Sequence, residues 1–124
     1  MTHRFVIGGH LPSLNDYIRA ERGGWAAANS MKQTCQTEII IAARQARIRH
    51  IKSPVYLCYV FYEKNKRRDL DNIAAVAHKF VQDALVESGI LDGDGWDHVT
   101  GFSDEFYIDK KDPRIEVTIV EVNN

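Results

Sequence analysis

Cysteine is scarce in this chain. Cys35 and Cys58 stand far apart and form no Cys-x-x-Cys pair, which rules out a disulfide framework and a four-thiolate zinc site. Both are read as reduced thiols of a cytoplasmic protein. Long apolar runs are also missing. The longest is about half a helix, well short of the roughly 20 residues that a membrane span needs, so no membrane is expected as a partner. The opening MTHRFVIGGH holds no apolar stretch of signal-peptide length. The five histidines are scattered without ligand spacing, and only His98, next to Asp97, stands beside another candidate ligand. Repeats, low-complexity tracts and linkers are absent. A single domain spanning 1–124, with one modest core, is the expectation.

A strong charge of either sign is missing too. The formal net charge of −1 by itself argues against tight nucleic-acid binding, but its distribution argues the other way. Residues 44–68 carry eight Lys/Arg and one acid, Glu63, whereas residues 69–124 carry four Lys/Arg and thirteen acids. A basic block followed by an acidic one fits a polyanion-binding segment beside a cation-binding one. Carboxylates gathered round metal ions would leave the surface less negative than the formal charge.

The pattern predicts a small mixed β-sheet with two helices, in the order β-α-β-α-β-β, an α/β (α+β) fold. Arg4–Ile7 reads as a strand stopped by Gly8-Gly9, and Leu11–Asn15 as a loop. Tyr17–Gly24, with Arg19 and Arg22, reads as a mobile basic loop. Asn29 or Ser30 can cap a helix running to about Arg49, with Met31, Cys35, Ile39, Ala42 and Ala46 at helical spacing. Arg44, Arg47 and Arg49 then suit the negative end of its dipole. Val55–Tyr62 is β-branched and aromatic, as a buried central strand would be. Asp71 or Asn72 can cap a second helix that ends at Ser88 before Gly89. Its apolar stripe is Ile73, Ala77, Phe80 and Ala84, widened by Val76, Val81 and Leu85. Val99–Ile108 and Ile115–Val122 read as strands paired in an antiparallel hairpin through Lys110–Pro113.

Chemistry concentrates in residues 67–98, RRDLDNIAAVAHKFVQDALVESGILDGDGWDH. Asp69 and Asp71 alternate; on extended backbone they point the same way and can reach one cation. Mg²⁺ takes oxygen ligands and keeps several waters, so few protein carboxylates suffice. Equally, Asp69 can pair with Arg67 or Arg68 while Asp71 caps the helix. Lys79 shares a side with Asn72, Ala75 and Asp83. It can stabilise charge on a phosphate or leaving oxygen, or simply pair with Asp83 at i,i+4. Asp92, Asp94 and Asp97 form an acidic turn that fails as a calcium loop: counted from Asp92, position 6 is Asp97 and position 12 is Ser103, where glycine and glutamate are needed. The turn is therefore either plain or the source of a third metal carboxylate.

LPSLNDYIR, RRDLDN, KFVQDAL and the acidic turn with Asp94, in this order over residues 11 to about 102, resemble the RusA-type Holliday junction resolvases of bacteriophages and prophages. The resemblance implies a homodimeric, Mg²⁺-dependent endodeoxyribonuclease that cuts four-way DNA junctions symmetrically in the bacterial cytoplasm. It implies metal ligands at Asp69, Asp71 and an aspartate of the turn, carried onto Asp94 in preference to Asp92 or Asp97, and a catalytic lysine at Lys79. In the family that lysine usually follows the second aspartate by four residues, a position held here by Ala75. Four added residues keep the lysine's direction and move it about 6 Å along the helix. Lys64, Lys66, Arg67 and Arg68 would hold DNA backbone beside the site, and Arg19 and Arg22 a second arm. A nuclease for flaps or other branched DNA, and a non-catalytic junction-binding relative, are the rival expectations.

Overall fold

The computed structural model describes residues 1–122. Four strands and three helices follow one another as β1 (Thr2–Gly8), α1 (Leu14–Arg22), α2 (Trp25–Gln45), β2 (Val55–Glu63), α3 (Leu70–Glu87), β3 (Val99–Ile108) and β4 (Arg114–Glu121). The mixed α+β class expected from the sequence is the one observed, with a third helix and a different strand order.

The third helix is α1, where a mobile loop was expected. Its start is written in Ser13 and Asp16, a capping box: the Ser13 hydroxyl accepts from the Asp16 amide at 3.2 Å, and the Asp16 carboxylate accepts from the Ser13 amide at 3.0 Å. The Ser13 amide is the main reason that the Asp16 carboxyl is held below its ordinary range. Beyond Gly23, α2 starts at Trp25 rather than at Asn29 or Ser30. The Ala26–Ala28 run propagates helix back to a cap that only Gly24, at φ 110°, can form.

The sheet order is β1-β4-β2-β3. β4 lies antiparallel between β1 and β2, and β3 lies parallel to β2 at the edge. The expected β3–β4 hairpin does not form; 110–113 instead carries the chain past β2 to its far side. The alternation of β4 explains the choice. In the central slot Ile115, Val117 and Ile119 are all buried, between Phe5 and Ile7 on one side and Leu57, Tyr59 and Phe61 on the other. A hairpin at the edge would have left that row half covered.

All three helices pack on one face of the sheet around a single core. The α3 stripe is buried as expected, with Ile73, Val76, Ala77, Phe80, Val81, Ala84 and Leu85 facing inward. Each large side chain so buried contributes roughly 1.5–3 kcal/mol. Tyr17 of α1 meets Phe80 edge-on at 5.5 Å. Cys35 is buried in the same core, and burial pushes its thiol up to about 11, so it packs as a small apolar group. No helix among the described residues is long and apolar enough to cross a membrane.

Candidate functional site

The β2–α3–β3 crossover places the head of α3 beside the C-terminal ends of two parallel strands. That is where open α/β sheets gather ligands, because loops and a helix N-terminus converge there. A cavity of about 340 Å³ opens at this point, lined by Glu63, Lys66, Arg68, Asp69 and Tyr107 among others.

Asp69 is the N-cap of α3 on extended backbone (φ −70°, ψ 147°), with no side-chain hydrogen bond to the helix, and Asp71 lies in the first helical turn. The extended segment therefore ends at Asp69, two residues earlier than the alternation argument assumed, and Asp69 rather than Asp71 or Asn72 is the cap. The two carboxylates thus stand on a helix start, not on a strand, and of the two Asp69 lines the cavity. Both are exposed. Each sits where the helix dipole favours negative charge, and among the described residues neither has an ion-pair partner. The nearby pairs go elsewhere: Arg68 to Glu63 and Lys79 to Asp83.

Glu63, passed over in the sequence as the lone acid of a basic block, organises this end. It is 7% exposed. Arg68 donates to both of its oxygens, at 3.0 and 3.2 Å, and to the Leu11 carbonyl at 2.7 Å. This fork ties the loop before α3 to the loop before α1. Arg68 is thus a brace, and the outward cations of the predicted set are Lys64, Lys66 and Arg67, all exposed. The only sequence signal for the brace was an acid five residues before an arginine inside a run of cations.

Lys79 takes the pairing reading. Its Nζ lies 3.6 Å from Asp83, which also holds Lys32 at 3.1 Å. It stands about 12 Å along the helix axis from Asp71. Arg19 and Arg22 fall in the last turn of α1, Arg19 largely exposed and weakly paired with Asp16 at 3.7 Å.

Asp94 lies elsewhere. It lines a second cavity of about 470 Å³ with Gln82, Trp96, Thr100 and Phe102, at the start of β3. Gln82 is thirteen residues beyond Asp69, about 20 Å along α3. Asp92 is held by His50 at 2.9 Å. Within one chain, then, Asp69 and Asp71 share the head of α3 and Asp94 is apart. Among the described residues, no group of three or more His, Cys, Asp or Glu side chains is placed to hold a metal ion. Near Phe102, His78 of α3 meets Asp104 of β3 at 2.7 Å and packs against the rings of Tyr59 and Phe102. This pair is 26 positions apart and left no mark in the sequence.

Asp69 and Asp71 suit a hard, water-rich cation: two carboxylate oxygens for an octahedral ion that keeps its remaining waters. They do not amount to a closed cage. No protein-family model matches the chain, and no curated protein matches it.

Proposed function

We propose that the protein is a Mg²⁺-dependent, structure-selective endodeoxyribonuclease that resolves four-way DNA junctions by paired nicks. One juxtaposition carries this reading. Asp69 and Asp71, exposed and unpaired at the head of α3, adjoin the outward cations Lys64, Lys66 and Arg67. Cations that hold a phosphate backbone without reading bases suit an enzyme that selects shape. Mg²⁺, when bound, would polarise the scissile phosphate and supply an activated water. The chain's own part is to anchor the ion through Asp69 and Asp71 and to hold the strand through the loop cations. Lys79, two turns further along the same helix, would meet a neighbouring phosphate after exchanging Asp83 for it.

The third carboxylate follows from symmetry. β3 is an edge strand whose one neighbour is β2, and Phe102, Tyr107 and Ile108 along it are about half exposed. A second copy pairing along β3 about a two-fold axis runs antiparallel to the first. The start of one β3, with Asp94, then lies against the end of the other, with Asp69 and Asp71. The homodimer would complete each site in trans and present two sites with the two-fold symmetry of a junction.

A non-catalytic junction-binding relative is the second reading, favoured by the pairing of Lys79 with Asp83 and by the separation of Asp94 from Asp69 within one chain. The deciding experiment is incubation of a synthetic four-way junction with wild type and Asp71→Asn, with and without Mg²⁺. The proposed enzyme nicks opposed strands only with the metal. Asp71→Asn binds the junction but loses several kcal/mol of barrier lowering, on the order of 100-fold or more in rate. Bound but uncut junction in both Mg²⁺ and Mn²⁺ supports the second reading. Preferred cutting of flaps moves the substrate to other branched DNA.

A further inference from the structure

The eight cations of residues 44–68 do not make one patch. β2 separates them, with Arg44, Arg47, Arg49 and Lys52 before it and Lys64, Lys66, Arg67 and Arg68 after it. Nine strand residues span about 30 Å. The second group adjoins Asp69; the first lies at the opposite end of the sheet. All four of its members are exposed, and none makes an ion pair among the described residues. The carboxylates nearby are already engaged: Glu121 by His3 at 2.8 Å and by Ser53 at 2.9 Å, and Asp92 by His50 at 2.9 Å. Arg47, Arg49 and Lys52 line one concavity of about 570 Å³ with His50.

Arg47 adds an independent observation. α2 and α3 end in the same hydrogen-bond pattern. In α3 the Gly89 amide donates to the Val86 carbonyl at 3.1 Å and the Ile90 amide to Leu85 at 3.0 Å. In α2 the Arg47 amide donates to Arg44 at 2.9 Å and the Ile48 amide to Ala43 at 3.3 Å. This ending needs a left-handed residue, ordinarily glycine. α3 has Gly89 at φ 81°; α2 has Arg47 at φ 61°, the one positive-φ residue other than glycine among the described residues. A Cβ there crowds the following carbonyl. A guanidinium kept where glycine folds more easily points to a task for the guanidinium.

We propose that Arg44, Arg47, Arg49 and Lys52 form a second docking surface for the phosphate backbone of duplex DNA. The spacing favours DNA. Cation clusters about 30 Å apart nearly match the roughly 34 Å helical repeat at which one face of a duplex presents its backbone again. The ligand rests on the DNA reading above, but the surface needs no cleavage and no metal.

The test is binding of a 40-base-pair duplex, followed by fluorescence anisotropy in EDTA over a range of salt. The proteins are wild type, Arg44→Gln/Arg47→Gln/Arg49→Gln/Lys52→Gln, and Lys64→Gln/Lys66→Gln/Arg67→Gln. The fourfold variant is expected to lose about 10- to 100-fold in affinity at low salt, with its log–log salt slope reduced by about three to four. A wild-type slope in that variant overturns the surface while leaving the DNA reading in place. Absence of salt-dependent binding by wild type overturns both. Displacement of the duplex by polyglutamate at equal charge would assign the surface to acidic proteins and overturn it as a DNA site. Arg47→Gly guards against loss by misfolding: it should melt higher than wild type and bind DNA more weakly. Unchanged affinity in Arg47→Gly removes Arg47 from the surface.

Discussion

At its N-terminal end α3 carries two carboxylates without partners, Asp69 and Asp71, beside a loop of exposed cations. At its C-terminal end the acidic turn carries three, and Asp92 there is already held by His50. Between the ends run 18 helical residues, about 27 Å. In sequence the two ends read as halves of one site, since a motif shows order and not distance. In three dimensions one chain separates them, and the proposed second copy, running the other way, would bring them together. The first end has the cavity, the cations and the parallel strand ends. The second has a fully exposed Trp96, a cavity of its own and the Arg47 cluster within reach of the same turn.

The largest effect that would break this comparison is all-or-none. Asp71→Asn and Asp94→Asn should each be inactive alone. Mixed, they form heterodimers in which one site joins an intact Asp69–Asp71 pair to an intact partner Asp94. About a quarter of wild-type nicking should return, because half the dimers are mixed and each holds one working site. Single nicks should dominate over paired ones. No recovery on mixing, with exchange of subunits verified, would place Asp94 outside the site or return all three carboxylates to one chain.

The next effect concerns stability at the first end. Glu63→Gln leaves the part-buried Arg68 fork short of its carboxylate. The expected cost is about 2–3 kcal/mol, read by chemical denaturation. Because Arg68 ties the loop before α3 to Leu11, the same variant should loosen Asp69, visible as faster amide exchange from Arg67 to Leu70. A loss of stability below about 0.5 kcal/mol would make the fork a surface contact and not a brace.

Much of this was legible in the sequence. The α3 stripe, β2 as the central strand and the stop at Gly89 all followed from periodicity and turn chemistry, because each depends on residues within one turn of one another. α1 was also legible, in Ser13 and Asp16, but its arginines and flanking glycines drew the reading toward a loop. The position of β4 was not legible. A five-residue connection normally makes a hairpin, and only the two flanking rows of buried side chains, from β1 and β2, decide that the strand goes between them. For the candidate site, Asp69 and Asp71 could be read as neighbours because they are two residues apart. The Glu63–Arg68–Leu11 brace and the His78–Asp104 pair join different elements, so pattern alone could not find them.

The helix endings supply a smaller effect. Gly89→Ala places a Cβ at φ 81°, with no neighbouring atom within 4 Å of it. The cost is therefore backbone strain alone, about 1 kcal/mol, or several degrees in melting temperature for a domain of this size. Arg47→Gly should move stability the other way by a similar amount. Equal signs for the two would mean that the endings are not equivalent, and that Arg47 is held by contacts of its own.

The smallest effect is a control on the open face of the sheet, away from both ends of α3. Glu116 accepts from Arg4 and from Arg114, each at 2.8 Å. Those bonds, Arg4 first, hold its carboxyl below the ordinary 4.5. A group whose pKa is depressed on folding stabilises the fold above its unfolded value, and that contribution is lost as pH falls through the folded value. The melting temperature should thus be level at neutral pH and fall below about pH 4.5. Glu116→Gln should flatten that decline by a few degrees at most, since part-exposed ion pairs are weak. The same substitution should leave both DNA affinity and Mg²⁺-dependent nicking at wild-type levels. A loss of either would show that the open face, and not only the ends of α3, takes part in holding the junction.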